Sequence, residues 1–185
     1  GKPVIFRIID KLLNEGIKNI SITVGYKKEI LEEIITEQYK KQCNIQFIES
    51  DFKKPPGNSI KDSINQFNEK KLLIILGDTM ISNNLTELVK KGKNFVLTSN
   101  KFLDTKNWCV ITKNEEKLDE IFDKKILENN KKYHALVGCY FFNKVNLLKN
   151  SLDEFKNDER LEISSIIKKI KEKEEFNSET AQEWL

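Results

Sequence analysis

Leu72-Leu73-Ile74-Ile75-Leu76-Gly77-Asp78-Thr79 sets five consecutive aliphatic residues against a glycine and a carboxylate. Such an apolar run predicts a strand over 72–76 buried on both faces, the kind found inside a parallel sheet. Gly77 permits close approach of backbone or ligand at the strand end. Asp78 falls where open α/β sheets hold their ligands, outside the carboxyl ends of the strands. Two readings of Asp78 stand side by side. It can give one carboxylate to Mg²⁺, an ion that takes one or two carboxylates plus phosphate oxygens. It can equally open a turn or cap a helix near Ser82.

Upstream of this run, apolar residues at 3.6 spacing predict helices over 4–14, 27–39 and 60–67. Between them lie strands at 20–24 and 45–48, and a loop at 52–59 containing Pro55, Pro56 and Gly57. The resulting α-β-α-β-α-β order predicts βαβ units with right-handed crossovers in one α/β domain spanning 1–185. A helix over 85–91 and a strand over 95–98 extend it. Beyond them the texture changes: strand-like runs at 108–112, 118–122 and 135–142 precede helices at 145–152 and 161–170. The short Lys113-Asn114-Glu115-Glu116 connection predicts a hairpin, and hence a mixed sheet in the second half.

Composition narrows the function classes. Thirty-two basic side chains stand against 29 acidic ones, a net charge of +3, and no basic block carries interleaved aromatics. That balance argues against a nucleic-acid partner. No apolar run approaches the length of a membrane span, and no secretory pattern is visible, so a cytoplasmic protein with no membrane partner is expected. Cys43, Cys109 and Cys139 are widely spaced with no CxxC, which implies neither a zinc site nor a disulfide framework. His134 is the single histidine and is read as a partly exposed residue at a strand end.

Three further places could carry chemistry. Lys54-Pro55-Pro56-Gly57-Asn58-Ser59 precedes a predicted helix, where backbone N–H groups can meet a planar ligand or an anion. An ordinary Pro-Gly turn, capped by Asn58 or Ser59, is the competing reading. Asp123-Lys124-Lys125 could grip a phosphate or sugar hydroxyls, or be a solvated turn. Gly138 inside an apolar strand signals close approach by a ligand or another chain, or a bulge. Glu162 and Glu179 have no evident partner.

Taken in order, these pieces resemble the nucleotidylyltransferases that activate sugar 1-phosphates and related phospho-compounds. Gly1-Lys2-Pro3-Val4-Ile5 is similar to the family's "GKPMI", and Glu15-Gly16-Ile17 with Val24-Gly25-Tyr26 to "AGI…V-x-GY". Pro56-Gly57-Asn58-Ser59 stands in the place of "GTA", Leu76-Gly77-Asp78 of "GD", and Phe122-Asp123-Lys124-Lys125 of "F-x-EKP". Val137 to Phe142 stands in the place of "AGIYVF", and Glu183-Trp184-Leu185 at the start of "W-x-D-x-G".

The resemblance implies a Rossmann-like doubly wound, mostly parallel mixed sheet of the GT-A-like nucleotide-diphospho-sugar transferase kind. It implies nucleotidyl transfer from a nucleoside triphosphate to a sugar 1-phosphate or phosphocholine-like acceptor, with pyrophosphate release, serving nucleotide-sugar or surface polysaccharide biosynthesis. Asp78 is the implied catalytic residue and Mg²⁺ ligand. Gly57, Asn58, Ser59 and Gly77 are implied at the nucleotide, and Asp123, Lys124 and Gly138 at the acceptor. A homo-oligomer is compatible with it. The departures are Asn58-Ser59 for Thr-Ala, Asp123 for Glu, Lys125 for Pro, and Trp108 for a usual Gly.

The family's glycine-rich loop and "PKP" lysine fall before Lys2-Pro3, and its second metal-binding Asp falls after Leu185. The expectation is therefore an internal piece of a longer chain, inactive alone. With the resembling fold's first strand absent, the strands at 20–24 and 72–76 should each expose an unpaired edge. The alternative is a non-catalytic nucleotide- or sugar-phosphate-binding module of the same fold.

Overall fold

The structure is a computed structural model that describes residues 1–128, 131–156 and 160–184. Helix α1 (Val4–Asn14) turns Ile8, Ile9 and Leu12 inward and stops at Gly16, whose φ of 79° suits a residue without a side chain. Strand β1 (Asn19–Val24) buries Ile20, Ile22 and Val24 in strict alternation. It pairs in parallel with β2 (Asn44–Glu49) through helix α2 (Lys28–Tyr39). These two strands form a sheet of their own.

The second sheet holds β3 (Leu72–Ile75), β4 (Asn94–Ser99), β5 (Cys109–Asn114), β6 (Lys117–Asp123), β7 (His134–Phe142) and β8 (Phe176–Thr180). Their order is β3-β7-β4-β8-β6-β5, and β5 returns to pair with β7 as well. Helices α3 (Pro56–Ile64), α4 (Leu85–Lys90), α5 (Val145–Asp153) and α6 (Ile163–Lys171) complete the fold.

The α/β class and mixed sheet follow the expectation. β3, β4, β5 and β8 run one way and β6 and β7 the other. The hydrogen-bonded neighbours in this sheet are nonetheless mostly antiparallel. β7 is threaded between β3 and β4, which keeps those two co-directional strands apart, whereas β4 and β8 are parallel neighbours.

β7 shows how the core is partitioned. Val137, Cys139 and Phe141 join a cluster with Ile9, Ile35, Leu85 and Phe95. Leu136, Tyr140 and Phe142 point the other way, into a cluster with Ile60, Leu148 and Ile166. Period-two alternation thus feeds two helical layers from one strand. Each fully buried large aliphatic contributes roughly 1.5–3 kcal/mol.

Among the described residues β1 pairs only with β2 and β3 only with β7. Their facing edges border a slot of about 910 Å³, floored by α1 residues Ile5, Ile8 and Leu12 and roofed by α3 residues Ser59, Ile60 and Ser63.

Several local expectations shift. α3 begins at Pro56 rather than residue 60, because Pro56 needs no hydrogen bond at a first-turn position, so Gly57-Asn58-Ser59 are helical rather than loop. β8 has no counterpart in the sequence reading: Phe176 is its sole apolar residue, and its buried Ser178 meets Thr98 by a 2.9 Å hydroxyl contact. His134 is 6% exposed rather than partly open, since β5 pairs Ile111 with it. Leu185 lies outside the described residues. Among the described residues no helix is long and apolar enough to cross a membrane.

Candidate active site

The site is organised by one edge of β7. β4 follows the opposite edge, while β3 and β5 share this one. Ile75 pairs with Cys139, and Val110 with Ala135. Continuing each register by two residues brings Gly77 and Trp108 from opposite directions to the level of Val137. The handover lies at Gly138, whose φ is 82° and whose carbonyl accepts from Leu76 N at 2.8 Å. A Cβ at Gly138 would overlap Thr79 Oγ1, which donates to Val137 O at 3.0 Å. Gly138 is therefore required by its backbone conformation and by Thr79.

Asp78 sits at the head of this junction, exposed, in the turn closed by Thr79 N donating to Leu76 O at 3.0 Å. It caps no helix: Asn84 caps α4, its Oδ1 accepting from Glu87 N at 3.0 Å. Among the described residues the Asp78 carboxylate has no hydrogen-bond or ion-pair partner. Nothing stands within 4 Å of where a Gly77 Cβ would be, so the approach is open. No described group of three or more His, Cys, Asp or Glu could hold a metal by itself. A single unengaged carboxylate at a strand end does fit Mg²⁺, whose remaining ligands are ordinarily water and substrate phosphate.

Across the junction stand Asp123 and Lys124. Cys109 pairs with Asp123 in the β5–β6 ladder, and Lys124 N donates to Trp108 O at 3.2 Å. Lys124 has φ 48°, which turns its side chain out of the strand line. Asp123 Oδ2 accepts from Ser164 Oγ of α6 at 3.1 Å. Burial pushes the Cys109 thiol up to about 12, with the Asp123 charge adding to it and Lys168 opposing. The buried Tyr140 hydroxyl is likewise raised, chiefly by burial, and it feels both Cys109 and Asp78. Trp108 closes this side edge-on against Trp184, with ring centroids 4.9 Å apart.

The first turn of α3 divides in direction. A Cβ on Gly57 would overlap Leu161 O, and the 3%-exposed Asn58 accepts from Leu161 N through Oδ1 at 2.9 Å. Both residues are turned toward the segment entering α6. Ser59 faces the slot, its Oγ 3.2 Å from Ser50 Oγ, which also donates to Asp62 at 2.7 Å. Ser59, Lys54 and Gly77 line the same cavity.

The fold thus brings Asp78, Gly77, Gly138, Asp123 and Lys124 to one junction and sets Ser59 on the slot leading to it. Ser164, Thr79 and Leu161 were not singled out from sequence. Thr79 carried the one usable signal, its place directly after Asp78. Ser164 and Leu161 act through contacts more than 40 residues distant, which no local pattern announces.

The chain matches the nucleotidyl transferase family over residues 1–185 and belongs to it. It is 28% identical over 173 residues to a bifunctional GlmU protein of Methanococcus aeolicus, covering 92% of this chain and 40% of that protein. It is 25% identical over 93 residues to the UTP–glucose-1-phosphate uridylyltransferase AglF of Haloferax volcanii, covering 50% of this chain and 37% of that one. The chain thus spans about two fifths of the length of these relatives. A candidate glucose-1-phosphate thymidylyltransferase from Bacillus anthracis, solved with sucrose, shares the fold at a TM-score of 0.81 and 20% identity, over 98% of this chain and 76% of that one. A UDP-glucose pyrophosphorylase without ligand gives 0.80 at 16% identity, over 99% and 81%.

Proposed function

We propose that this chain carries the catalytic fold for nucleotidyl transfer from a nucleoside triphosphate to a sugar 1-phosphate or phosphocholine-like acceptor. The observation that carries the reading is the unengaged Asp78 carboxylate at the Gly77–Gly138 junction, opposite Asp123 and Lys124, in a chain of the nucleotidyl transferase family. The names of the relatives support a sugar 1-phosphate acceptor.

In the proposed reaction an acceptor phosphate oxygen attacks the α-phosphorus, the bond from that phosphorus to the bridging oxygen breaks, and pyrophosphate leaves. Such chemistry is mostly positioning and charge neutralisation. Asp78 would hold Mg²⁺, which would supply that neutralisation when bound. Ser59 and the α3 backbone border the nucleotide, while Gly57 and Asn58 hold that turn to Leu161. Lys124 and Asp123 orient the acceptor, and Ser164 fixes Asp123. Gly138 leaves the junction narrow enough for both sides to reach one ligand.

We also infer that the 185 residues are part of a longer polypeptide, and that one further strand fills the slot between β1 and β3. The unpaired edges and apolar floor support this, because such edges are hazards when left open. Adding about 30 natural upstream residues, roughly one supersecondary unit, should raise solubility and sharpen unfolding. Equal behaviour with and without them would sink the idea.

The functional test is pyrophosphate release from nucleoside triphosphates with a panel of sugar 1-phosphates and phosphocholine, using the extended chain. Release that depends on acceptor and on Asp78 supports transfer. Nucleotide binding without any release points instead to a non-catalytic binding module.

A further inference from the structure

Ala181 to Trp184 leave the end of β8 and touch both sides of the junction. On the Asp78 side, Trp184 forms an antiparallel bridge with Ile81, and Ser82 N donates to Glu183 O at 3.3 Å. On the Lys124 side, the Trp184 ring meets that of Trp108, whose carbonyl is the acceptor for Lys124 N. The segment is a strap laid from one lip of the junction to the other.

Asn83 holds this strap. It is 6% exposed, its Nδ2 donates to Thr180 O at 2.9 Å, and its Oδ1 accepts from Gln182 N at 3.0 Å. A carbonyl at one position and an N–H two positions on are what a strand offers a parallel neighbour. The side-chain amide, with its one acceptor and its donors, stands in for a strand residue beside Ala181. Ala181 turns its own N–H the other way, to Thr98 O at 2.8 Å. Removing the amide would leave a carbonyl and an N–H of the strap without their partner.

The latch is itself anchored. Lys11 Nζ donates to Asn83 O at 2.7 Å and to Glu15 Oε1 at 2.7 Å. Glu15 Oε2 accepts from Thr86 N at 2.8 Å, and Glu15 O accepts from Thr86 Oγ1 at 3.0 Å. The end of α1 thereby fixes the corner from Asn83 to Thr86, a few residues after Asp78. The partners of Asn83 are the strap and α1, so its influence on the junction passes through the strap.

We propose that Asn83 is a positioning residue: through the strap it sets the separation of the Asp78 side from the Trp108–Lys124 side, and with it the fit of the acceptor. This rests on the nucleotidyl-transfer reading and adds to it the part that fixes the width of the acceptor side. Ser59 and Asn58 bond instead to Ser50 and Leu161, away from the strap. Nucleotide binding is therefore outside the reach of the latch.

The test compares the full natural chain with its Asn83→Ala and Asn83→Asp variants in two measurements. Trp108 and Trp184 are the only tryptophans among the 185 residues. Indoles this close couple, giving a paired circular dichroism band that Trp108→Phe removes and so identifies. Asn83→Ala should lose that band and lower kcat/KM for the acceptor about a hundredfold, the scale of a misplacement near 1 Å, with nucleotide affinity unchanged. Asn83→Asp keeps the acceptor for Gln182 N and loses the donor to Thr180 O. It should show both losses in smaller measure, and it carries the test if the alanine variant does not fold. Loss of the band without loss of acceptor kinetics, or the reverse, would overturn the proposal, as would no change in either. A fall in nucleotide affinity matching that of the acceptor would overturn it too, since the effect would then be general loosening. Transfer by the unaltered chain with indifferent variants fells the latch alone. If the unaltered chain transfers to no acceptor, the transfer reading fails and the positioning role with it.

Discussion

The two sheets on either side of the slot are built on opposite plans. The two-stranded sheet has one ladder, β1 with β2, and draws its remaining cover from α1 and α2. The six-stranded sheet is cross-tied: β7 alone is paired with β3, β4 and β5. An isolated pair of strands is marginal in water, whereas several strands with covered faces are not. The side chains divide along the same line. The carboxylates Asp78 and Asp123 sit on the cross-tied sheet, and the exposed Tyr26 and Phe52 sit in turns that follow the strands of the slender one. The contrast teaches that the candidate carboxylates rest on the well-tied sheet and the exposed aromatics on the part with less internal support.

The largest effect should come from the well-tied side. Asp78→Asn should lower nucleotidyl transfer about a thousandfold in the extended chain while the fold is kept, the scale of losing a preorganised electrostatic group. Steady-state pyrophosphate release with a circular dichroism control checks this, and full activity would remove Asp78 from the metal role. Gly138→Ala should destabilise by about 3 kcal/mol, since it strains a left-handed backbone and collides with Thr79, and urea unfolding measures it. Asn58→Ala leaves the Leu161 N–H unpaired in a buried place and should cost about 2 kcal/mol. If it costs nothing, the tie between α3 and the α6 entrance is dispensable.

The contrast itself is open to hydrogen exchange. Amides of Ile20 and Ile22 should exchange faster than those of Val96 and Tyr140, because the slender sheet opens locally at lower cost. Equal protection would erase the distinction drawn between the sheets. The smallest expected effect concerns His134. Burial lowers its pKa, helped by Lys113 and Lys132. The unfolded chain then binds the proton more readily, so this contribution is present above the unfolded value, about 6.5, and is lost as pH falls through that region. His134→Gln should flatten the stability slope there, read from thermal midpoints across the range.

How much of this was visible in the residues alone depends on whether the cause was local. α1 and the Ile20-Ile22-Val24 alternation announced themselves because burial pattern and chain period agree; Leu72 to Ile75 form the expected strand, but it is half-buried and antiparallel to β7 because its other edge faces the slot. β8 did not, since Asn177, Ser178 and Glu179 are polar and its pairing with β4 rests on tertiary contacts such as Thr98 with Ser178. Among candidate site residues, the position of Gly77-Asp78 at a strand end was legible from the apolar run before it. The bringing of Asp78 and Asp123 to one edge of β7 was not, because it depends on β3 and β5 meeting along that strand. The facing of Gly57 and Asn58 was also hidden: Leu161 lies 103 residues beyond Asn58.

The shared edge of β7 has a further consequence for how such a chain can vary. Residues before Gly138 are matched to β5 and residues after it to β3, while β4 on the other side shifts register between Val96 and Thr98, opposite Gly138. An insertion on either side of the glycine would slide one partner past the other and turn alternate side chains to the wrong layer. Outside Gly138, His134 to Phe142 therefore accommodates an exchange of side chains more readily than a change of length.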